Sequence, residues 1–283
     1  MVPTVGMDFR RLLAGTTAAT AVTALVGVVT ATSGAGLTCE ARWPLCDGAV
    51  FGLFPANFMS FVEWSHRLVA MVTGLLIVAS TVAAWRGGRG RRVRLATLGA
   101  VLLTPVQVVF GAFTVLVQEF VFGYSIVVLT LHFALASTIL GLLVAATTWT
   151  YAAETTVSAG RVRRAGGAAL LAFPVMVALT PRLFVTFGEA AQFVYYAVGF
   201  GLFAALSVVA LWGRELGARS TAAAAAAGAV IVVAQLVLAR RAFGDEGQLA
   251  VLGLSFLAFG LTVLAVRLSR RAEPAVAAGA AAD

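Results

Sequence analysis

Long, unbroken apolar stretches separated by short polar or glycine-rich connections set the pattern of this chain. Eight of them approach the roughly 20 residues that a helix needs to span a bilayer, near 11–33, 60–85, 93–117, 124–149, 162–180, 190–212, 220–240 and 247–268. Because the apolarity is continuous rather than alternating, the pattern predicts helices and excludes a transmembrane barrel. The expected fold is all-α, a polytopic membrane protein with eight transmembrane helices in a lipid bilayer.

Composition agrees, since 61% of the 283 residues are hydrophobic and 11% are charged, against about 25% charged in an ordinary soluble domain. A net charge of +8 would raise the question of nucleic acid in a soluble protein. Here the placement of the arginines answers differently. Arg10 and Arg11 precede the first run, Arg86, Arg89, Arg91, Arg92 and Arg94 crowd the second connection, and Arg161, Arg163 and Arg164 fill the fourth. Arg214 and Arg219 lie in the sixth, and Arg267, Arg270 and Arg271 follow the last run, while the odd-numbered connections hold Arg42, Arg182, Arg240 and Arg241. By the positive-inside rule both termini are cytoplasmic, as expected of a multi-pass protein of the plasma membrane, and no nucleic-acid partner is expected. The first run has the outline of a secretory leader, but its apolar length of about 22 residues exceeds the usual 7–15, so it is expected to stay as the first helix.

The first external connection, "GAGLTCEARWPLCDGAVFGLFPANFM", holds both cysteines of the chain, Cys39 and Cys46. Disulfides form and persist outside the cytoplasm, and a short loop with Gly and Pro nearby can bring two Cα atoms within the roughly 4.4–6.8 Å a disulfide requires. A zinc site would need about four Cys or His ligands, and the loop has no others. Three readings stand at this point: a structural disulfide, a redox-active one, and two unpaired thiols.

Only two histidines occur, His66 and His132. The second and fourth runs both enter from the outer side, which places His66 roughly 9 Å and His132 roughly 12 Å down at about 1.5 Å per residue. Two parallel helices across a bundle core can clamp a planar ligand between facing side chains. Two imidazoles without further N, O or S ligands suit axial binding of haem iron better than a tetrahedral zinc or copper site. Arg67, next to His66, has two readings, a propionate partner or a snorkelling interfacial residue. Glu63 shares a helical face with His66; it is read as an acceptor for an imidazole, as a base at the porphyrin edge, or as a hydrated interfacial residue.

Four stretches, "GAGLTCEARWPLC", "VEWSHRLVAMVTGLL", "PVQVVFGAFTVL" and "VVLTLHFALASTILGLL", together resemble the successive signatures of the first half of haem A synthases. The resemblance covers roughly residues 20 to 146. It implies two pseudo-symmetric four-helix bundles, here a first over 1–152 and a second over 153–272, while composition makes 273–283 a disordered tail. It implies oxidation of a ring methyl of haem O to the formyl of haem A for terminal oxidases. It also implies that Glu63 is catalytic or places substrate, that His66 and His132 face the haem undergoing oxidation, and that Cys39 and Cys46 pair. The partners that follow are haem O as substrate, haem O synthase, terminal oxidase subunits and, as an option, further copies of the chain.

Members of this family usually carry a second histidine pair, for a haem b, in the second bundle. This chain departs from that pattern. Laying "EAAQF" on "EWSHR" sets Glu189 on Glu63 and Gln192 on His66, Ser255 or Phe256 falls opposite His132, and Gln235 repeats Gln107. None of these is a strong axial ligand. Beside the enzyme reading therefore stands a second one, a haem-binding electron carrier or oxidase assembly factor, and a third in which the histidines merely pack.

The arginine pattern makes the orientation testable: a reporter fused after Arg271 is expected to be active only in the cytoplasm, and one at Ala49 only outside. The opposite result would invert the depths given to both histidines.

Overall fold

The computed structural model describes all residues except 1–4, 40–42, 44, 47–48, 51–53, 56, 117–125, 154–155, 181–187, 241–243 and 281–283. Among the described residues the helices are α1 (Val5–Thr32), α2 (Phe58–Arg86), α3 (Arg91–Leu116), α4 (Ile126–Ala152), α5 (Ala159–Ala178), α6 (Glu189–Glu215), α7 (Arg219–Leu238) and α8 (Gly244–Ala280). Seven of them are long and apolar enough to cross a membrane, and the chain is an all-α, multi-pass membrane protein. The expected fifth span is the exception, because α5 has 20 residues and carries Arg161, Arg163 and Arg164 in its opening turns. At the other end, α8 continues to Ala280, through much of the stretch left as a tail by its composition. The chain divides into two compact units, Met1–Thr147 and Thr148–Asp283.

In the first unit, hydroxyls cross-link helices whose surfaces are otherwise apolar. Thr16 bonds Ser80 and Thr23 bonds Thr73, each at 2.8 Å between α1 and α2, and Thr17 bonds Thr147 of α4 at 2.8 Å. These three threonines also donate to the carbonyl four residues back, so each hydroxyl stays satisfied at a depth without water. A tight turn joins α2 to α3. Gly88 adopts φ +58° and Arg89 N–H reaches back to Ala84 O at 3.0 Å, a helix ending that needs the left-handed region where glycine is at ease. Beside it the Arg89 guanidinium stacks on the Phe9 ring at 4.6 Å, joining the start of α1 to the same turn.

The second unit packs α5 against α6 and α8, and α7 against α6 and α8. Small residues permit the approach: a Cβ built on Gly199 would fall within van der Waals overlap of Leu236 Cδ2, and one on Gly213 would lie 3.1 Å from the Ala222 backbone. Gln235 of α7 is fully buried and bridges two helices, donating to Tyr195 Oη of α6 at 3.0 Å and Ser255 Oγ of α8 at 2.8 Å. Tyr196, next along α6, donates to Leu236 O at 2.9 Å. Replacing Gln235 by Leu breaks both bridges, which is expected to cost about 1–2 kcal/mol and lower the melting midpoint of the detergent-solubilised chain by about 2–8 °C. An unchanged midpoint would show that the network contributes nothing to holding α6, α7 and α8 together.

Candidate functional site

The site begins at the cap of α2. Asn57 accepts from the backbone N–H groups of Met59 and Ser60 at 2.8 and 3.3 Å, starting the helix one turn and a half before Glu63. Above it, Cys39 and Cys46 form a disulfide with Cα atoms 4.7 Å apart, which removes the unpaired-thiol reading. Both sulfurs are buried against Trp64 and lie 3.4 and 3.8 Å from the Ser60 carbonyl oxygen. Trp43 and Phe54 pack at a tilt against the same Trp64, with ring centroids 6.3 and 4.9 Å away. The described part of the cysteine loop is thus pinned to the first turns of α2 by a sulfur bridge and an aromatic cluster.

One turn deeper, Glu63 is 4% exposed. Its partner is Arg67, whose Nε donates to Glu63 Oε1 along the same face of α2. Carboxylate before guanidinium at this spacing is the favourable order on a helix. The imidazole acceptor role considered for Glu63 is not what this geometry adopts, because His66 Nδ1 is buried without a hydrogen-bond partner among the described residues. The Glu63 Oε2 atom faces Gly36, in the 3-10 turn Ala35–Leu37, at 4.0 Å from where a Cβ would stand.

His66 stands on α2 and His132 on α4, both in the first unit. Each ring rests against a glycine of a further helix. A Cβ on Gly27 of α1 would lie 2.9 Å from His66 Cε1, and one on Gly111 of α3 would lie 3.2 Å from His132 Cε1. Gln107, one turn before Gly111, places its amide Nε2 3.3 Å from His132 Nε2. Each imidazole is therefore bordered by a second helix of the first unit, His66 by α1 and His132 by α3. The donor set fits a haem: among the described residues there is no group of three His, Cys, Asp or Glu to cage a bare ion, two imidazoles serve two axial positions, and His66 Nδ1 and Gln107 Oε1 are buried polar atoms awaiting partners.

A profile of the cytochrome oxidase assembly protein family matches residues 10–188. The chain belongs to the cytochrome oxidase assembly protein family. It is 38% identical to the protoheme IX farnesyltransferase of Halobacterium salinarum (strain ATCC 700922) over 131 residues, 46% of this chain and 28% of that protein. It is 37% identical over 147 residues to the protein of that name from Haloarcula marismortui, covering 52% and 30%. With the heme A synthase of Bacillus licheniformis it shares 33% identity over 112 residues, 39% of this chain and 34% of that one. The chain thus spans about a third of the length of these relatives.

For a member of the cytochrome oxidase assembly protein family, the second unit is built differently from the first. Glu189 sits exposed in the first turn of α6, where Glu63 is buried in α2. Gln192 is buried, and of the two residues laid opposite His132, Ser255 is 1% exposed and bonded to Gln235, whereas Phe256 is 61% exposed. Tyr195, Tyr196, Gln235 and Leu236 fill the interior at that level. With no histidine in the unit, and with Tyr195, Gln235 and Ser255 bonded to one another, these residues do not fit a bis-imidazole haem.

The sequence reading missed Gly27 and Gly111 and noted Gln107 only as a repeated residue; the available signal was glycine inside a membrane helix, which marks close approach. At Gly27 that approach is testable. Gly27→Ala must displace the His66 ring and is expected to weaken uptake of haem, followed by visible absorbance of the purified chain, by roughly tenfold or more. Gly15→Ala, with nothing within 4 Å of its Cβ, is expected to leave uptake unchanged.

Proposed function

We propose that this chain is a membrane haem A synthase, oxidising a ring methyl of haem O to the formyl of haem A for terminal oxidase biogenesis in the plasma membrane. The observation that carries the reading is a buried carboxylate, Glu63, one helical turn from an imidazole pair walled by glycines, in a chain of the cytochrome oxidase assembly protein family. Similarity to proteins named heme A synthase supports the reaction. Similarity to proteins named for farnesyl transfer onto protohaem supports haem O synthase as a neighbour, since both names concern one macrocycle.

Taking the ring methyl to a formyl consumes one water and releases four protons and four electrons, and the iron of bound haem O would relay those electrons to an acceptor outside this chain. His66 and His132 hold the iron from opposite helices, and the glycines opposite them fix each ring in place. Arg67 orients and neutralises Glu63 in the resting site and is positioned to exchange that partner for a propionate. Glu63, freed or shared, accepts a proton at its carboxylate oxygen as the methyl is oxidised. A second reading, a haem-binding carrier or assembly factor without catalysis, draws support from the histidine-free second unit.

Expression with haem O, followed by extraction and mass measurement of the bound haem, separates the two. His66→Ala with His132→Ala is expected to abolish the haem spectrum. Glu63→Gln is expected to retain at least half of the haem yet lower formyl product more than tenfold. Full haem content in the double histidine variant would overturn the site, and wild-type levels of haem A from Glu63→Gln would overturn the role of the carboxylate alone.

A further inference from the structure

We infer that Gln107 is an internal competitor for His132, a latch that holds the imidazole while the site is empty and lowers the grip on haem so that it passes through. The inference rests on the reading of the first unit as a haem site. Gln107 Nε2 lies 3.3 Å from His132 Nε2, the ring nitrogen farther from the backbone and so the one that can reach a ligand between helices. With the amide donating, the ring is neutral with its lone pair on Nε2, ready for a metal. With the amide turned over, Nε2–H donates to the amide oxygen instead. Either way, iron and Gln107 cannot hold Nε2 together.

The surroundings make this contact an exchangeable one. Gln107 and Gly111 are four residues apart on α3, so carboxamide and glycine wall face one ring from one helix face. The other end of the amide, Oε1, is buried without a hydrogen-bond partner among the described residues. Gln235, on the third helix of the second unit, is held more firmly: its amide donates to both Tyr195 and Ser255 and meets no imidazole, although its Oε1 is likewise without a hydrogen-bond partner among the described residues. A glutamine committed to one ring nitrogen, with its oxygen uncommitted, is suited to letting go. Haem binding breaks one hydrogen bond and haem departure restores it, which suits a molecule that arrives as substrate and leaves as product.

The test uses the full chain, purified in detergent, stripped of haem and titrated with ferric protohaem, with release followed by transfer to excess apomyoglobin. Removing the competitor in Gln107→Leu is expected to lower Kd about fivefold, with release slowed in proportion. Gln107→Met, close in volume and without donors, is expected to do the same and guards against a packing artefact of the first variant. In a His132→Ala background, binding is weaker and Gln107→Leu is expected to move Kd by less than about twofold, because the nitrogen it competed for is gone. Binding by Gln107→Leu and Gln107→Met equal to or weaker than that of the unaltered chain, with His132 still required, would overturn the latch alone. Unchanged Kd in His132→Ala would instead overturn the haem site on which the inference rests.

Discussion

The ion pair between Glu63 and Arg67 is the constraint around which the first unit is arranged. A lone ionised side chain deep in a membrane helix costs about 2.5–3.5 kcal/mol or more, and α2 meets that cost by setting carboxylate and guanidinium one turn apart on a single face. Everything above the pair serves to hold that turn in place. The Asn57 cap fixes where α2 begins, the disulfide rests on the Ser60 carbonyl and Trp64, and the aromatic cluster closes over them. Below it, His66 is left without a bond from the carboxylate, so its ring is placed by packing against Gly27 rather than by charge.

How much of this was legible depended on how rare each signal is in an apolar chain. Glu63, His66 and His132 stood out because an ionisable group within hydrocarbon needs a reason. The helices were legible because length and continuity suffice, and α5 fell short because three arginines use up its opening turns. Spacing left Cys39 and Cys46 with three readings, since a short loop permits a disulfide without requiring one; the folded loop removes the unpaired thiols. Gly27 and Gly111 were illegible for the opposite reason: glycine is common in membrane helices, and only the partner ring on another helix gives it meaning.

The two units also show how one residue type takes on different work with its neighbours. Gln107 and Gln235 sit on the third helix of their respective units, yet one meets an imidazole and the other a tyrosine and a serine. In the second unit the tyrosine and the serine take up both N–H groups of the Gln235 amide, so these polar atoms turn toward one another, and Gln235 Oε1 is left as the buried atom without a partner among the described residues.

The hydroxyl links between α1 and α2 act as a vernier for the site above them. Thr16 and Thr23 are seven residues apart on one helix, as are Ser80 and Thr73 on the other, so the two links fix the phase of α1 against α2 as well as its height. Gly27 follows Thr23 by about one turn and inherits that phase. One residue inserted between them would rotate the glycine by about 100° and bring Val26 to the His66 ring. Side chains that never touch the imidazole thereby decide whether it has room.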